Sequence, residues 1–337
     1  MKKYLKLLFA AFVATISFSL VSCTGDDEPK DSGDSHGSGC QNANKAIIKF
    51  DGDFLTSITE GSRVQNITYD NEGRISEISR IYGGREYSLF KFDYNNCSFT
   101  SEDPDADYDK GSISFNEDGY ISKITCYDNG EDDYGIWDCE LNMTFAYNAS
   151  GHLSELSFTE EIIYQDDEEN GESVESYTSV CKFHWENGNL VRINETQTDK
   201  EDGKTIRKFT EEYVFTYSNL QNTFNQFPFC IYDEITNNWW GDAEKIFAFI
   251  GLMGKGTVNL PEEMNSHTSN DYTYHDKYQY KLNSNGSIAW ENGITFGYGN
   301  SSSKSLAPVY DKSTAKDLKH RSKLRERRKS HHKKNLK

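Results

Sequence analysis

The sequence predicts an all-β protein: an antiparallel meander of hairpin repeats forming a large curled sheet or barrel, with one amphipathic helix near residues 239–253. Three observations predict it. A strand–turn–strand phrase of about twelve residues recurs along the middle of the chain. The residues flanking each copy alternate apolar and polar, the period of a half-buried strand. One stretch alone changes to helical spacing.

The first copy of the phrase is Ile67-Thr68-Tyr69-Asp70-Asn71-Glu72-Gly73-Arg74-Ile75-Ser76-Glu77-Ile78. It returns from Ile113 to Ile124, with Asn116 and Gly119 in the turn, and from Phe145 to Leu156, with Asn148 and Gly151. A fourth copy, Phe183 to Ile193, is one residue shorter at the turn, and Tyr280 to Ile288 is a weaker fifth. Asp51 to Ile58 and Tyr213 to Asn219 read as degenerate halves. In each turn an Asn or Asp side chain bonds nearby backbone N–H groups, and the glycine supplies the positive φ that closes it. The exit strand sets apolar residues at two and five places past the glycine, an odd gap where alternation needs an even one. The expectation is a bulge that re-aims the strand and adds twist.

Trp137, Cys139, Leu141, Met143, Phe145 and Tyr147 alternate with polar residues, and Tyr272, Tyr274, Tyr278, Tyr280 and Leu282 follow the same pattern. One apolar and one wet face is the antiparallel signature. Counting by this pattern gives about 14 strands, and so long a sheet tends to curl or close, which also protects its edges. Trp239, Trp240, Ala243, Ile246, Phe247, Ile250 and Met253 recur at helical spacing up to Gly254, with Glu244 and Lys245 opposite. That helix is expected to pack its stripe on the sheet or to plug one end.

The Tyr-Asx-x-x-Gly-x-Leu phrase resembles the tyrosine-aspartate repeats of secreted shell-forming toxins. Together with Gly251-Leu252-Met253-Gly254-Lys255-Gly256 and Asn259-Leu260-Pro261 after the helix, it is more closely similar to the Bacteroidota lipoprotein family that carries domain of unknown function 4595, over roughly residues 45–300. That resemblance implies a porin-like β fold and an outer-membrane location, and no activity or catalytic residues. The basic C-terminal tail departs from it.

The N-terminus assigns a location by itself. Lys2, Lys3 and Lys6 precede an apolar run from Leu7 to Leu20, and Leu20-Val21-Ser22-Cys23 closes it. A charged start, a short apolar run and a small residue before the cut read as a secretory signal too short to span a membrane. Cys23 at the cut is the expected lipidation site, and acyl chains anchor by about 0.8 kcal/mol per buried methylene. Thr24-Gly25-Asp26-Asp27-Glu28 resembles the acidic tract that directs Bacteroidota lipoproteins to the outer face of the outer membrane. Four regions follow: residues 1–22 as signal peptide, 23–44 as acylated cysteine and acidic tether, 45–303 as the hairpin-repeat domain, and 304–337 as a basic tail. The tether is too polar to order itself, and the tail is expected to be disordered likewise.

The tail holds 13 lysines and arginines against Asp311, Asp317 and Glu326, while the whole chain carries −18. The body is therefore strongly acidic, which opposes nucleic acid as a partner for the fold. The partners expected are the membrane, through the lipid, and a glycan or surface protein.

Chemistry is sparsely marked. Cysteines 40, 97, 126, 139, 181 and 230 follow the lipid cysteine; outside the cytoplasm six permit disulfides with 15 connectivities, or they remain reduced in the core. A hairpin about residues 127–134 would set Cys126 opposite Cys139, the one bridge proposed. His152, His184, His267 and His275 lack the companions of a triad, and no nucleophile or zinc motif occurs. Asp103, Asp105, Asp107 and Asp109 have the alternate carboxylates of a calcium loop, but Tyr108 stands where that loop needs glycine and Ser114 where it needs Glu, so a solvated acidic loop is the preferred reading. Neither a metal nor another cofactor is expected. The expected role is a non-enzymatic binding or structural scaffold at the cell surface. The alternative is carbohydrate capture through exposed Trp239, Trp240 and Trp290, since Trp137 and Trp185 are in phase with the core.

Overall fold

The alternation becomes seventeen antiparallel strands among the described residues of the computed structural model. Those residues are 40–82, 85–102, 108, 110–132, 135–165, 172–231, 243–269 and 272–300. The strands are β1 (Phe54–Glu60), β2 (Arg63–Tyr69), β3 (Ile75–Tyr82), β4 (Arg85–Asp93), β5 (Ser98–Thr100) and β6 (Lys110–Phe115). Next come the long ones: β7 (Ile121–Asp132), β8 (Gly135–Tyr147), β9 (Leu153–Gln165), β10 (Glu172–Glu186), β11 (Asn189–Glu201) and β12 (Lys204–Gln221). The helix α1 (Ala243–Phe249) precedes β13 (Asn259–Thr268), β14 (Thr273–Lys277), β15 (Tyr280–Leu282), β16 (Ile288–Glu291) and β17 (Ile294–Gly299). The count exceeds the fourteen expected because three- and four-residue strands such as β5, β15 and β16 are too short to display a period.

Each strand pairs with the next in sequence from β1 to β14, and β17 returns to pair with β1, Phe54 opposite Gly299. β14 and β15 have no ladder between them. They are successive parts of one run: Tyr278 N–H still bonds to Glu262 O on β13, whereas Asn292 N–H, just after β16, bonds to Gln279 O. The meander therefore curls until its first and last strands meet, but no continuous ladder closes it. The repeat turns lie at one end of the strands, and the tips of the long β7–β8, β9–β10 and β11–β12 hairpins lie at the other.

The turn chemistry is as the residues dictate. Asp70 Oδ1 accepts from Glu72 N–H at 3.0 Å and Arg74 N–H at 2.8 Å, and Asn116 and Asn148 do the same for residues two and four places on. Gly73, Gly119 and Gly151 have φ of 80°, 87° and 83°. At Gly119 the space is also taken, since a Cβ would lie 2.6 Å from Asn42 O.

The odd apolar gap is a bulge in every copy. Thr68 pairs with Glu77 but Tyr69 with Ile75, so Ser76 is the extra residue. Ser122, Val191 and Ala289 are the extra residues opposite β6, β10 and β15, and Ser154 opposite β8. A ring from the next repeat caps each bulge. Tyr94 donates to Ile75 O at 2.8 Å, Tyr147 to Ile121 O at 2.6 Å, Trp185 Nε1 to Leu153 O at 2.7 Å, Tyr217 to Leu190 O at 2.8 Å and Tyr298 to Ile288 O at 2.7 Å. The accepting carbonyl always belongs to the residue two places after the turn glycine. The repeat is thus a hydrogen-bonded unit that locks each hairpin to its successor.

Two segments fill the turn end. Residues 40–50 bond to the helical segment and to the turns, through Ile48 N–H to Ile250 O and Asn42 Nδ2 to Asn116 O. Residues 222–231 and 243–258 lie against the same strands, with Phe247 at 6.5 Å from Phe90 and Phe249 stacked at 4.5 Å on Phe296. Ile246 and Phe247 on α1 are buried, and so are Ile250 and Met253, but the helix ends at Phe249, where Gly251 at φ 90° turns the chain, and not at Gly254 as the spacing suggested. Lys245 is a correction: instead of facing water it is buried, its Nζ 5.7 Å over the Phe229 ring. The fold also begins earlier than composition suggested, because Cys40 is bridged to Cys97 and buried, which orders residues 40–44.

Candidate functional site

The inner face of the long hairpins changes character along its length. Toward the turn end it is apolar: Met143, Leu156, Phe158, Phe183, Ile193 and Phe215 are buried. Further along the same strands it turns polar. Glu195 on β11 is 1% exposed and accepts from Ser179 Oγ at 2.7 Å, Gln197 Nε2 at 2.8 Å and Tyr213 OH at 3.5 Å. Burial pushes its carboxyl above the usual range, and the Glu211 carboxylate adds to that shift. Burial next to Glu195 also pushes the Cys181 thiol and the Tyr213 phenol up. Glu160 on β9 is buried as well, accepting from Tyr108 OH at 2.8 Å and from Cys139 Sγ at 3.7 Å.

Beyond this belt, toward the tips, the same face carries rings that are only half covered. Trp137 on β8 stands directly opposite Tyr164 on β9, while Tyr177 on β10 marks the edge of the belt, opposite Glu160 and 5.7 Å from Phe158. The indole lies across the backbone of Gly130 on β7, where a Cβ would come within 2.7 Å of the ring. Phe209 on β12 is half-buried on this face and Tyr274 on β14 is exposed. Between the rings stand Glu175, Asp199, Glu201 and Glu211, all partly exposed. A surface of flat rings edged by hydrogen-bond acceptors can stack on a ligand and bond its donors.

Other candidates fall elsewhere. Cys23, Trp239, Trp240, Asp103, Asp105, Asp107 and Asp109 lie outside the described residues, as do residues 1–39 and the tail from 301. Trp290 is half-buried on β16, under Lys281 Nζ at 5.1 Å. Tyr108, the residue that broke the calcium pattern, is turned into the core. His152 stacks on Trp185 at 4.2 Å and bonds Lys255 O, while His184 and His275 bond Asn194 and Asn265. No group of three or more metal-ligating side chains occurs among the described residues. A crevice lined by Ile58, Glu60, Arg63, Gln65, Phe229 and Ile294 has a volume of about 10 Å³, room for one water molecule.

The Cys126–Cys139 bridge is corrected. Cys126 pairs with Leu141 and Cys139 with Asp128, because β7 and β8 pair up to Asp132 opposite Gly135, a register two residues away from the one that would set Cys126 opposite Cys139. Both thiols face inward but sit diagonally, a spacing of about 7–8 Å that a disulfide does not span. The tip-end ring face escaped the sequence reading for a related reason. Alternation marks Trp137 and Tyr177 as inward-facing and does not tell whether anything covers that stretch of the inner face.

No protein-family model matches the chain, and no curated protein matches it in sequence. Among solved structures it is similar to a porin-like protein from Bacteroides vulgatus, at 11% identity over 73% of this chain and 98% of that one, with a TM-score of 0.42. It is also similar to a porin-like protein from Bacteroides uniformis, at 14% identity over 73% and 96%, with a TM-score of 0.43.

Proposed function

We propose that the protein is a non-enzymatic, lipid-anchored β scaffold of the outer-membrane surface that captures its ligand on the inner face of its hairpin tips. The half-covered rings Trp137, Tyr164 and Tyr177, set among carboxylates on one face, carry this reading. The signal ending Leu20-Val21-Ser22-Cys23 and the acidic residues after it support the anchor and its outward placement. The tether joins the fold at Cys40, at the turn end of the strands and opposite the tips, an arrangement suited to display.

Carbohydrate capture is the more specific form of the proposal. Aromatic faces stack on the C–H faces of sugar rings, and the carboxylates accept from hydroxyls. The rings that favour it among the described residues are Trp137 and Tyr164, which stand opposite each other on the inner face. A glycan array with the mature chain, carrying Cys23→Ser for solubility, tests it. Saturable binding that falls at least ten-fold in Trp137→Ala is expected; a blank array removes the carbohydrate reading. Protease shaving of intact cells tests display, and protection until lysis would remove the outward-facing assignment.

A further inference from the structure

The tip end of the inner face is lined by carboxylates. Glu175 on β10 is directly opposite Glu201 on β11, and Glu195 on β11 directly opposite Glu211 on β12, with Asp199 between them on the same face. Like charges facing each other across a ladder destabilise a sheet. Strand cations show what this surface accepts: Lys204 stands directly opposite Glu201, and Arg207 reaches Asp199 at 3.9 Å and lies 5.5 Å over the Phe209 ring. A guanidinium between a carboxylate and a ring face gains from both.

We propose that this face docks the chain's own basic C-terminal segment, residues 316–337. That segment supplies eleven lysines and arginines against Asp317 and Glu326, a complement to an acidic aromatic surface. Its attachment point allows it. β17 ends at Gly299, beside Phe54 at the turn end, and β10 runs 15 residues from tip to turn end, about 50 Å. The 16 residues from Asn300 to Ala315 span about 55 Å extended, about the length of β10, and the 22 residues from Lys316 to Lys337 add about 75 Å for the crossing from β17 to β10. The inference rests on the inner face being a binding face, and it makes the tail an occupant that an external ligand must displace.

Zero-length carbodiimide cross-linking of the mature Cys23→Ser chain, followed by peptide mapping, decides it. Lysines of residues 316–337 are expected to join Glu175, Asp199, Glu201 or Glu211. The products should disappear in 1 M salt, where screening falls to about 3 Å, and fall at least ten-fold in a Glu175→Gln, Glu201→Gln, Glu211→Gln variant. In an equal mixture of light and heavy chains the products should be single-isotope. Mixed-isotope products would assign the docked segment to a second copy and overturn the proposal. So would products spread over outer-face carboxylates such as Glu140, Glu161 and Glu212, or no products at all. Glycan binding that is lost in Trp137→Ala would survive that failure, so the binding face and its occupant are separable.

Discussion

Tyr147→Phe is the sharpest probe of how the repeats are joined. Its hydroxyl donates to Ile121 O at 2.6 Å, and Ile121 is fully buried beside the bulge at Ser122. Removing one oxygen leaves the ring and its 5.0 Å contact with Tyr120, so the apolar contribution is retained. What is lost is a donor to a carbonyl that water does not reach, a cost of about 1–3 kcal/mol. For a domain of this size that lowers Tm by about 2–4 °C per kcal/mol. Burial pushes the phenol well above its ordinary range, so at pH 7 no charge effect enters. Urea unfolding at pH 7 should show a lower midpoint with an unchanged slope. Tyr217→Phe, which removes the bond to Leu190 O at 2.8 Å on a separate hairpin, should cost a similar amount. The two should add within about 0.5 kcal/mol in the double variant. A change below about 0.3 kcal/mol in both single variants would refute the idea that ring caps hold the bulges.

Stability should also depend on pH through Glu195 and Glu291. Burial raises both carboxyls above their ordinary value of 4.5, so the native state binds more protons than the unfolded one. Their contribution is complete below that ordinary value and is lost as pH rises through the folded pKa. Unfolding free energy should therefore fall as pH rises above about 4.5, and Glu195→Gln should flatten its share of the decline in melts taken across that range. Finally, Cys40–Cys97 joins residues 57 apart, and in the chain-entropy model its removal by Cys40→Ser with Cys97→Ser costs about 4 kcal/mol. Non-reducing peptide mapping should find that bridge and find Cys126 and Cys139 as thiols; a 126–139 peptide pair would contradict the register.

The repeat phrase, its turns, its bulges and the helical stripe were all legible in the residues, because each rests on interactions within about a dozen positions. An Asx side chain bonds N–H groups two and four places on, and a glycine adopts its positive φ, whatever the rest of the chain does. Even the bulge at Ser76 was written as an odd apolar gap. The Cys126–Cys139 register was not, since it depends on where the β7–β8 hairpin turns, and a two-residue shift keeps every side chain on its expected face. The pairing of Cys40 with Cys97, the burial of Lys245 over the Phe229 ring and the return of β17 to β1 join residues that periodicity says nothing about. The same holds for the inner face: alternation determined that Trp137, Tyr177 and Glu195 point inward. Only tertiary packing decided that Glu195 is sealed in and that the rings beyond it are left half in water, because the segments that fill the interior gather at the turn end.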